Sequence, residues 1–152
     1  MNLQELIDAE KADLEAWPMA AVDVILHGEG FPVAIGRLLP DDWASLVAKH
    51  APRPGTTDET VGYNQDALTK AYPVSHITVD GEPVEQAQWV AMFAVLGAVH
   101  RANIINTIWG QNVYPAVKAR LALGKATAGK RPASRAPKAS RSDGGSGGSP
   151  AK

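Results

Sequence analysis

The sequence contains no cysteine, and aromatic residues make up only 6% of its 152 positions. A chain without cysteine has no disulfide framework, no thiolate metal site and no cysteine nucleophile. Its hydrophobic content of 45% is nevertheless enough for a real core, and its length suits one domain of ordinary size with a tail. We therefore expect one folded domain. The absence of cysteine is compatible with a reducing compartment.

Motifs that carry catalysis or nucleotide binding are also missing. Residues 1–124 contain no GxSxG elbow, no HExxH pair and no P-loop, and the glycines of residues 27–30 lack the following helix of a phosphate-binding loop. The two serines of the body, Ser45 and Ser75, lie near no triad pattern. The sequence therefore predicts a protein that is not an enzyme, with no catalytic residue and no cofactor.

The histidines do not suggest a metal site, because they stand far apart in different predicted elements. They are His27, His50, His76 and His100. Asp41 and Asp42 are adjacent carboxylates, but no further carboxylate or histidine cluster stands at ligand spacing. We therefore expect no bound metal, and we interpret the two aspartates as helix caps.

Secretory and membrane-spanning segments are not apparent either. The acidic N-terminal residues 1–17 lack the basic leader and the uninterrupted apolar core of a secretory signal. The most hydrophobic run, residues 87–99, is too short to span a bilayer. These patterns predict a soluble, cytoplasmic protein without a membrane partner.

Charge is divided unevenly along the chain, although the net charge is −1. Residues 1–120 carry 8 Lys/Arg and 15 Asp/Glu, a balance of −7, whereas residues 121–152 carry 7 Lys/Arg and one acid, a balance of +6. An acidic body disfavours nucleic-acid binding by the folded part, because phosphate contacts need Lys and Arg. The basic tail either binds nucleic acid weakly or is a solvated segment that screens the acidic body.

Hydrophobic patterning predicts an α+β fold that is mainly α, with an N-terminal β-hairpin followed by a small helical bundle. Residues 1–18 form an acidic amphipathic helix that ends before Pro18. The hairpin at residues 20–38 has its turn at Gly28–Gly30, and Pro32 places the second strand at a sheet edge or makes it begin later. The helical domain covers residues 19–124, and the Ala/Ser/Pro/Gly-rich residues 125–152 form a disordered tail.

Shorter elements are predicted on either side of the centre of the chain. One helix opens at Leu39–Pro40 and ends near His50, and another covers residues 63–72 with Asn64 as its N-cap. Residues 74–79 form either a short strand or an extended connector. A last helix over residues 112–123 ends at Gly124.

The segment from Glu85 to Gly110 is the most apolar of the chain and contains no proline, so it predicts one long buried helix. Its bulky residues recur at steps of three and four, and a neighbouring stripe of alanines would let another element approach closely. The part from Trp89 to Val99 is predicted to be the packed spine of the domain.

Polar residues interrupt this segment after Val99. They form, with Trp109, either a partner-facing end of the helix or the point where the helix leaves the core. Trp43 and Trp89 are either core anchors or ligand platforms. Together with two residues of a motif described below, the predicted partner-binding residues are Trp43, Tyr63, Asn64, His100, Arg101, Asn103, Asn106 and Trp109.

Three groups of residues, in this order and spacing, carry a resemblance to a known family. They are Leu39, Trp43, Leu46, Val47, His50 and Pro52; Gly62, Tyr63 and Asn64; and Trp89, Leu96, Ala102, Asn103 and Asn106. The stretch from about Val22 to Asn112 resembles the tail assembly chaperones of long-tailed, siphovirus-type bacteriophages of actinobacterial hosts. The N-terminal helix and the basic tail lie outside this resemblance.

The resemblance implies a non-enzymatic, mainly helical oligomer that is made in the cytoplasm of the infected bacterium during virion assembly. Such chaperones coat the tape-measure protein, keep its hydrophobic helices soluble, help recruit the major tail protein and leave the mature particle. Many also exist as a longer product of ribosomal frameshifting, for which the tail would be the tether.

Two other classes of protein remain open. A structural virion protein, such as a connector or tail-completion subunit, would share the small size and the oligomerisation, but it would be present in purified particles. A nucleic-acid-associated protein acting through its basic tail would shift DNA in a salt-dependent manner only while the tail is attached.

Overall fold

The first helix of the protein buries none of its side chains. In the computed structural model, which describes residues 2–129, this helix (α1) spans Leu3–Glu15. The Asn2 side chain caps it by accepting a hydrogen bond from the Glu5 amide at 2.9 Å. The predicted N-terminal helix is thus present, and it ends before Pro18.

Four antiparallel strands form one sheet in the order β1-β2-β3-β4. They are β1 (Ala20–Leu26), β2 (Glu29–Ile35), β3 (Ile77–Val79) and β4 (Glu82–Pro83). The predicted hairpin is the β1–β2 pair. Of the two alternatives for residues 74–79, the strand is correct for the second half, and a 3₁₀ turn at Val74–His76 precedes it.

The turn of the hairpin lies earlier than the sequence predicted. Leu26 pairs with Glu29, so the turn consists of His27 and Gly28, whose φ angles are 50° and 77°. Two successive positive φ angles are typical of a type I′ turn, whose twist matches that of a hairpin. Glu29 and Gly30, which were predicted as turn residues, belong to β2.

Pro32 lies in an inner strand, so both predicted alternatives for it are wrong. β2 begins before Pro32 and pairs with β1 on one side and with β3 on the other. The Pro32 carbonyl accepts a hydrogen bond from the Asp80 amide at 2.8 Å, so its backbone groups point away from β1. Because these groups point away from β1, the missing N–H of Pro32 interrupts no bond between β1 and β2, and on its other side β3 ends at Val79, one residue before Asp80.

Three helices follow the hairpin: α2 (Pro40–Ala48), α3 (Asp58–Val61) and α4 (Gln65–Lys70). The positions of α2 and α4 agree with the predictions, and the Asn64 side chain caps α4 by accepting from the Ala67 amide at 3.1 Å. Asp41 and Asp42 lie in the first turn of α2 but make no capping hydrogen bond. Their predicted capping is therefore wrong, although their charge suits the positive end of the helix dipole.

The predicted central helix is two helices, α5 (Gln86–Val95) and α6 (Ala98–Asn112). Leu96 and Gly97 separate them with extended backbone, at ψ angles of 143° and 163°. Glycine destabilises a helix interior by about 0.5–1 kcal/mol relative to alanine, and the break lets Leu96 turn inward to 5% exposure. The prediction of one continuous helix is wrong for this reason.

The last described helix, α7, spans Tyr114–Gly129. It continues through Gly124, which was predicted as its end, and takes in the first residues of the predicted tail. A second unit of the chain begins within this helix, at Ala116. Residues 130–152, the rest of the predicted tail, lie outside the described residues.

One hydrophobic core joins the sheet to helices α2, α4, α5 and α6. Its members are Val24, Val33, Ile35, Leu38, Leu46, Tyr63, Leu68, Tyr72, Ile77, Trp89, Phe93, Leu96, Ile104 and Ile108. The fold of the described residues is therefore α+β and mainly α, as the sequence predicted. Within residues 2–129, no helix has the length and apolar character needed to cross a membrane.

Candidate functional site

Helices α5 and α6 both present apolar side chains to solvent. Val95 and Val99, on either side of the break between the helices, are 71% and 72% exposed, and Val90 is also exposed. The alanines around them are exposed as well. We define the α5–α6 surface as Val90, Ala91, Ala94, Val95, Ala98, Val99 and Ala102.

The spacing of bulky residues determines which side of each helix faces the core. In α5, Trp89 and Phe93 are four residues apart and fully buried, and Ile104 and Ile108 repeat this spacing in α6. The valines and alanines between them fall on the outer side. The prediction of a packed spine from Trp89 to Val99 is therefore correct for the bulky residues and wrong for the valines and alanines.

The α5–α6 surface has the composition of a binding surface. Apolar side chains scattered singly are normal on a protein, whereas a continuous apolar group marks an interaction site. No member of this surface is charged, and none is a nucleophile, an acid or a base. The surface can therefore bind another apolar surface but supplies no group for a reaction.

Arg101, one of the predicted partner-binding residues, connects α6 with α5. Its Nε donates to the Phe93 carbonyl at 3.1 Å, and its guanidinium carbon lies 5.0 Å from the centre of the Phe93 ring. The carbonyl belongs to the last turn of α5, where backbone acceptors lack partners within the helix. Arg101 thus links the start of α6 to the last turn of α5.

His100 connects α6 with the free edge of the sheet. The Ile25 amide of β1 donates to His100 Nε2 over a long distance of 3.4 Å. His100 Nδ1 is buried, and among the described residues no hydrogen-bond partner reaches it. The role that the structure shows for His100 is therefore to cover an edge strand.

Asn103 and Asn106 extend the outer side of α6 beyond its apolar part. Both are exposed, four and seven residues after Val99, so they lie on the same side of the helix. Trp109 is half-buried and lies 6.0 Å from Tyr114 between ring centres. Of the predicted residues on α6, these two asparagines are therefore the ones free to meet a partner next to the α5–α6 surface.

Trp43, Tyr63 and Asn64 form a separate group around α2 and α4. The Trp43 ring meets the buried Tyr63 ring edge to face, with centres 5.4 Å apart. Burial raises the pKa of Tyr63 to about 12, and the nearby Asp58 charge acts in the same direction. The Asn64 side chain caps α4, and the Asn64 backbone N–H donates to the His50 carbonyl at 2.8 Å. Packing and capping account for all three residues.

The end of α6 carries a polar network that the sequence did not suggest. Gln111 Nε2 donates to the Ile35 carbonyl at 2.7 Å and to the Pro18 carbonyl at 3.0 Å, and Gln111 Oε1 accepts from the Trp17 indole at 3.1 Å. A single glutamine thus joins α6, β2 and the segment after α1. These contacts are more than 70 residues apart in sequence, so no local pattern could reveal them.

Tyr72 and Asn112 extend this network to the loop after β2. Tyr72 donates its hydroxyl to the Gly36 carbonyl at 2.6 Å and accepts from Asn112 Nδ2 at 2.9 Å, while Asn112 Oδ1 accepts from the Leu38 amide. Burial raises the pKa of Tyr72 to about 12, with the Asn112 bond opposing the shift. Tyr72 therefore stays protonated at neutral pH and acts as a structural donor.

Gln111→Ala should lower the free energy of unfolding by about 2 kcal/mol, because the substitution removes three hydrogen bonds that are buried or partly buried. Urea unfolding followed by circular dichroism measures the change. Asn106→Ala, at an exposed position of the same helix, is the control and should shift stability by less than about 0.5 kcal/mol. Equal effects of the two substitutions would contradict a stabilising role for the network.

Asp58 is the one fully buried acidic residue among those described. Arg53 approaches both of its carboxylate oxygens, through Nε at 2.6 Å and Nη2 at 3.2 Å, and the Arg53 and Gln65 amides also donate to it. The Arg53 hydrogen bond holds the pKa of Asp58 well below its usual range, against the opposing effect of burial. Because its oxygens are engaged with these donors, Asp58 is suited to hold the loop before α3 rather than to transfer protons.

Acidic and histidine side chains do not gather elsewhere into a ligand set. In the part of the chain that the structure describes, no group of three His, Cys, Asp or Glu residues is placed to hold a metal ion. The apolar α5–α6 surface is thus the feature of these residues that most needs a functional explanation.

Comparisons of the chain with protein families, with curated proteins and with solved structures find no match.

Proposed function

We propose that the protein is a non-enzymatic tail assembly chaperone of a long-tailed bacteriophage, and that it binds apolar helices of the tape-measure protein. The observation that carries the proposal is the exposed, uncharged α5–α6 surface. The resemblance described above supplies the identity of the client. Two residues of that resemblance, Asn103 and Asn106, lie exposed beside this surface.

The chemistry of the surface suits a helical client. Valine and alanine side chains project little, so a partner helix can approach the backbone of α5 and α6 closely, and its apolar face can pack on them in the helix-in-groove manner. Val95 and Val99, which are mostly exposed, would each contribute at most about 1.5–3 kcal/mol on removal from water by the client. A few such contacts are sufficient for reversible binding, which a chaperone requires in order to release its client.

The charge of the body complements this role. Residues 1–120 have a balance of −7, and net charge keeps proteins soluble because molecules of like charge repel each other. An acidic protein that covers apolar client helices would therefore limit the aggregation of those helices. In this proposal the complex then helps to recruit the major tail protein, the chaperone acts as a homo-oligomer, and it leaves before the particle matures.

Co-expression with a tape-measure protein tests the proposal. The wild-type protein should raise the soluble fraction of the client and co-purify with it. The double variant Val95→Asp with Val99→Asp should lose both effects, because two carboxylates would be desolvated at the centre of the contact. Its own free energy of unfolding should change by less than about 1 kcal/mol, since both valines are exposed.

Val117→Asp with Leu121→Asp on α7 is the matched control, because it places the same two charges at two other exposed apolar positions. It should leave client solubility unchanged. If the wild-type protein neither raises client solubility nor forms a complex, the chaperone proposal is abandoned. If all three proteins act equally on the client, the client binds elsewhere than on the α5–α6 surface.

A further inference from the structure

Helix α1 is held to the body of the protein near its C-terminal end. The exposure of its apolar side chains falls along the helix, from 72% at Leu3 to 52% at Leu6 and 38% at Ile7, and Leu14 is half-buried. Trp17, just after the helix, is held by its indole bond to Gln111. The first two turns of α1 therefore project from the body as an arm.

The attachment at Trp17 is specific. The Arg37 guanidinium stacks on the Trp17 ring, 4.5 Å from the ring centre, and both side chains line a groove of about 350 Å³. Leu14, Met19 and Leu39 contribute to this groove. These contacts orient α1 without covering the apolar side chains of its first two turns.

The outward part of α1 is amphipathic, and its charge has one sign. Leu3, Ile7 and Leu14 lie on one side of the helix, and Leu6 borders them. Within and beside this stripe the helix carries one lysine, Lys11, and five acids, which are Glu5, Asp8, Glu10, Asp13 and Glu15. Among the described residues, none of these acids forms a salt bridge.

We infer that α1 is a docking arm for a basic amphipathic helix of a partner protein. The apolar stripe fits a second apolar stripe, and the acidic side chains beside it fit lysines and arginines that flank the partner's stripe. Glu10 lies within the stripe itself, seven residues after Leu3 and four before Leu14. A partner helix thus places a basic side chain at the middle of the contact.

Charge also decides against other occupants of the arm. A second copy of α1 would bring carboxylates of both helices together, and like charges on paired helices are destabilising. An anionic lipid surface would repel the same side chains, since membrane-surface helices carry Lys and Arg on the polar face. The neutral α5–α6 surface lacks this charge preference, so the two surfaces select partners of different chemistry.

Fluorescence anisotropy with two labelled synthetic peptides tests the inference on the full-length protein. Both peptides are amphipathic helices of about 18 residues with the same leucines, but one carries lysines on its polar face and the other carries glutamates. The lysine peptide should bind about tenfold or more tightly than the glutamate peptide, and added salt should reduce this difference.

Variants of α1 then locate the binding site. Leu6→Gln with Ile7→Gln should weaken binding of the lysine peptide by about 100-fold, because it removes two apolar contacts. Glu10→Gln with Asp13→Asn should weaken it by about 3- to 10-fold, the usual range for exposed ion pairs. Asp41→Asn with Asp42→Asn on α2 removes the same charge from exposed positions without capping bonds, and it should change nothing.

Several results would overturn the docking arm. Two of them are equal binding of the two peptides and unchanged peptide binding by both α1 variants. The third is a change in the molar mass of the peptide-free protein in the Leu6→Gln/Ile7→Gln variant, which would show that a second copy occupies α1. Val95→Asp with Val99→Asp should leave peptide binding intact; if it abolishes binding, the peptide occupies the α5–α6 surface instead. Failure of the docking arm is thus distinguishable from failure of the chaperone proposal.

Discussion

Trp89→Ala should lower the free energy of unfolding by about 3–5 kcal/mol, the range found for large-to-small substitutions in cores. Trp89 is fully buried, and its indole N–H donates to the Thr69 carbonyl at 2.7 Å. The substitution removes the bulkiest buried side chain of α5 and a bond that links α5 to α4. Part of the loss is the cavity that remains, since the sheet and α6 cannot fully collapse into it.

Urea unfolding followed by circular dichroism measures this loss without using tryptophan as the probe. Trp89→Phe is the informative control, because it keeps most of the apolar volume and removes the hydrogen bond, and it should lower stability by about 2 kcal/mol. A negligible change in melting temperature for Trp89→Ala would contradict the burial of this residue and would make it a binding candidate.

Asp58→Asn should lower the free energy of unfolding by about 3 kcal/mol, because the buried carboxylate accepts bonds from a guanidinium and from backbone amides that a neutral amide cannot replace. The asparagine side chain has an NH₂ group in place of one carboxylate oxygen, so at that position a donor would face another donor. Asp66→Asn is the control: Asp66 is part-exposed and meets Arg53 through one contact at 3.0 Å. Its loss should have an effect below about 1 kcal/mol.

The same carboxylate makes stability depend on pH. The pKa of Asp58 is lowered in the folded state, chiefly by the Arg53 hydrogen bond, so the folded state binds fewer protons here than the unfolded chain. Its contribution is fully present above the ordinary aspartate pKa of about 4 and is lost as the pH falls toward the lower folded value. Wild-type stability should therefore fall between pH 5 and pH 2 more steeply than that of Asp58→Asn; equal slopes would contradict this contribution.

The elements that the sequence predicted well are specified by nearby residues. The Asn64 cap and the position of α4 follow from a few adjacent side chains, and the hairpin follows from two β-branched runs around a glycine. The two-residue turn was missed because His27 adopts a positive φ that only the paired strands reveal. The place of Pro32 in the sheet was predicted wrongly because an inner strand accepts a proline there only since β3 ends at Val79, more than 40 residues later.

The candidate site was harder to predict, because an apolar sequence pattern does not show which of its side chains other elements bury and which remain exposed. The run from residue 87 to residue 99 reads as buried on every side, yet only Trp89, Phe93 and Leu96 are buried, with Met92 packed part-buried against the core. The alternation of bulky residues with alanine and valine was the available signal. Arg101 looked like a partner contact because its acceptor, the Phe93 carbonyl, becomes reachable only through the break at Gly97.

The sheet edge at Ile25 has a consequence for the order in which the chain folds. The His100 side chain that covers the Ile25 amide is synthesised 75 residues after it, and β3 also emerges long after the hairpin. Hairpins form in about 1–10 μs, whereas ribosomes add about 5–20 residues per second. The two hairpin strands are therefore synthesised seconds before His100 and β3 can cover them, and Asp23 is the single charged side chain of β1 that can discourage strands of neighbouring nascent chains from pairing there.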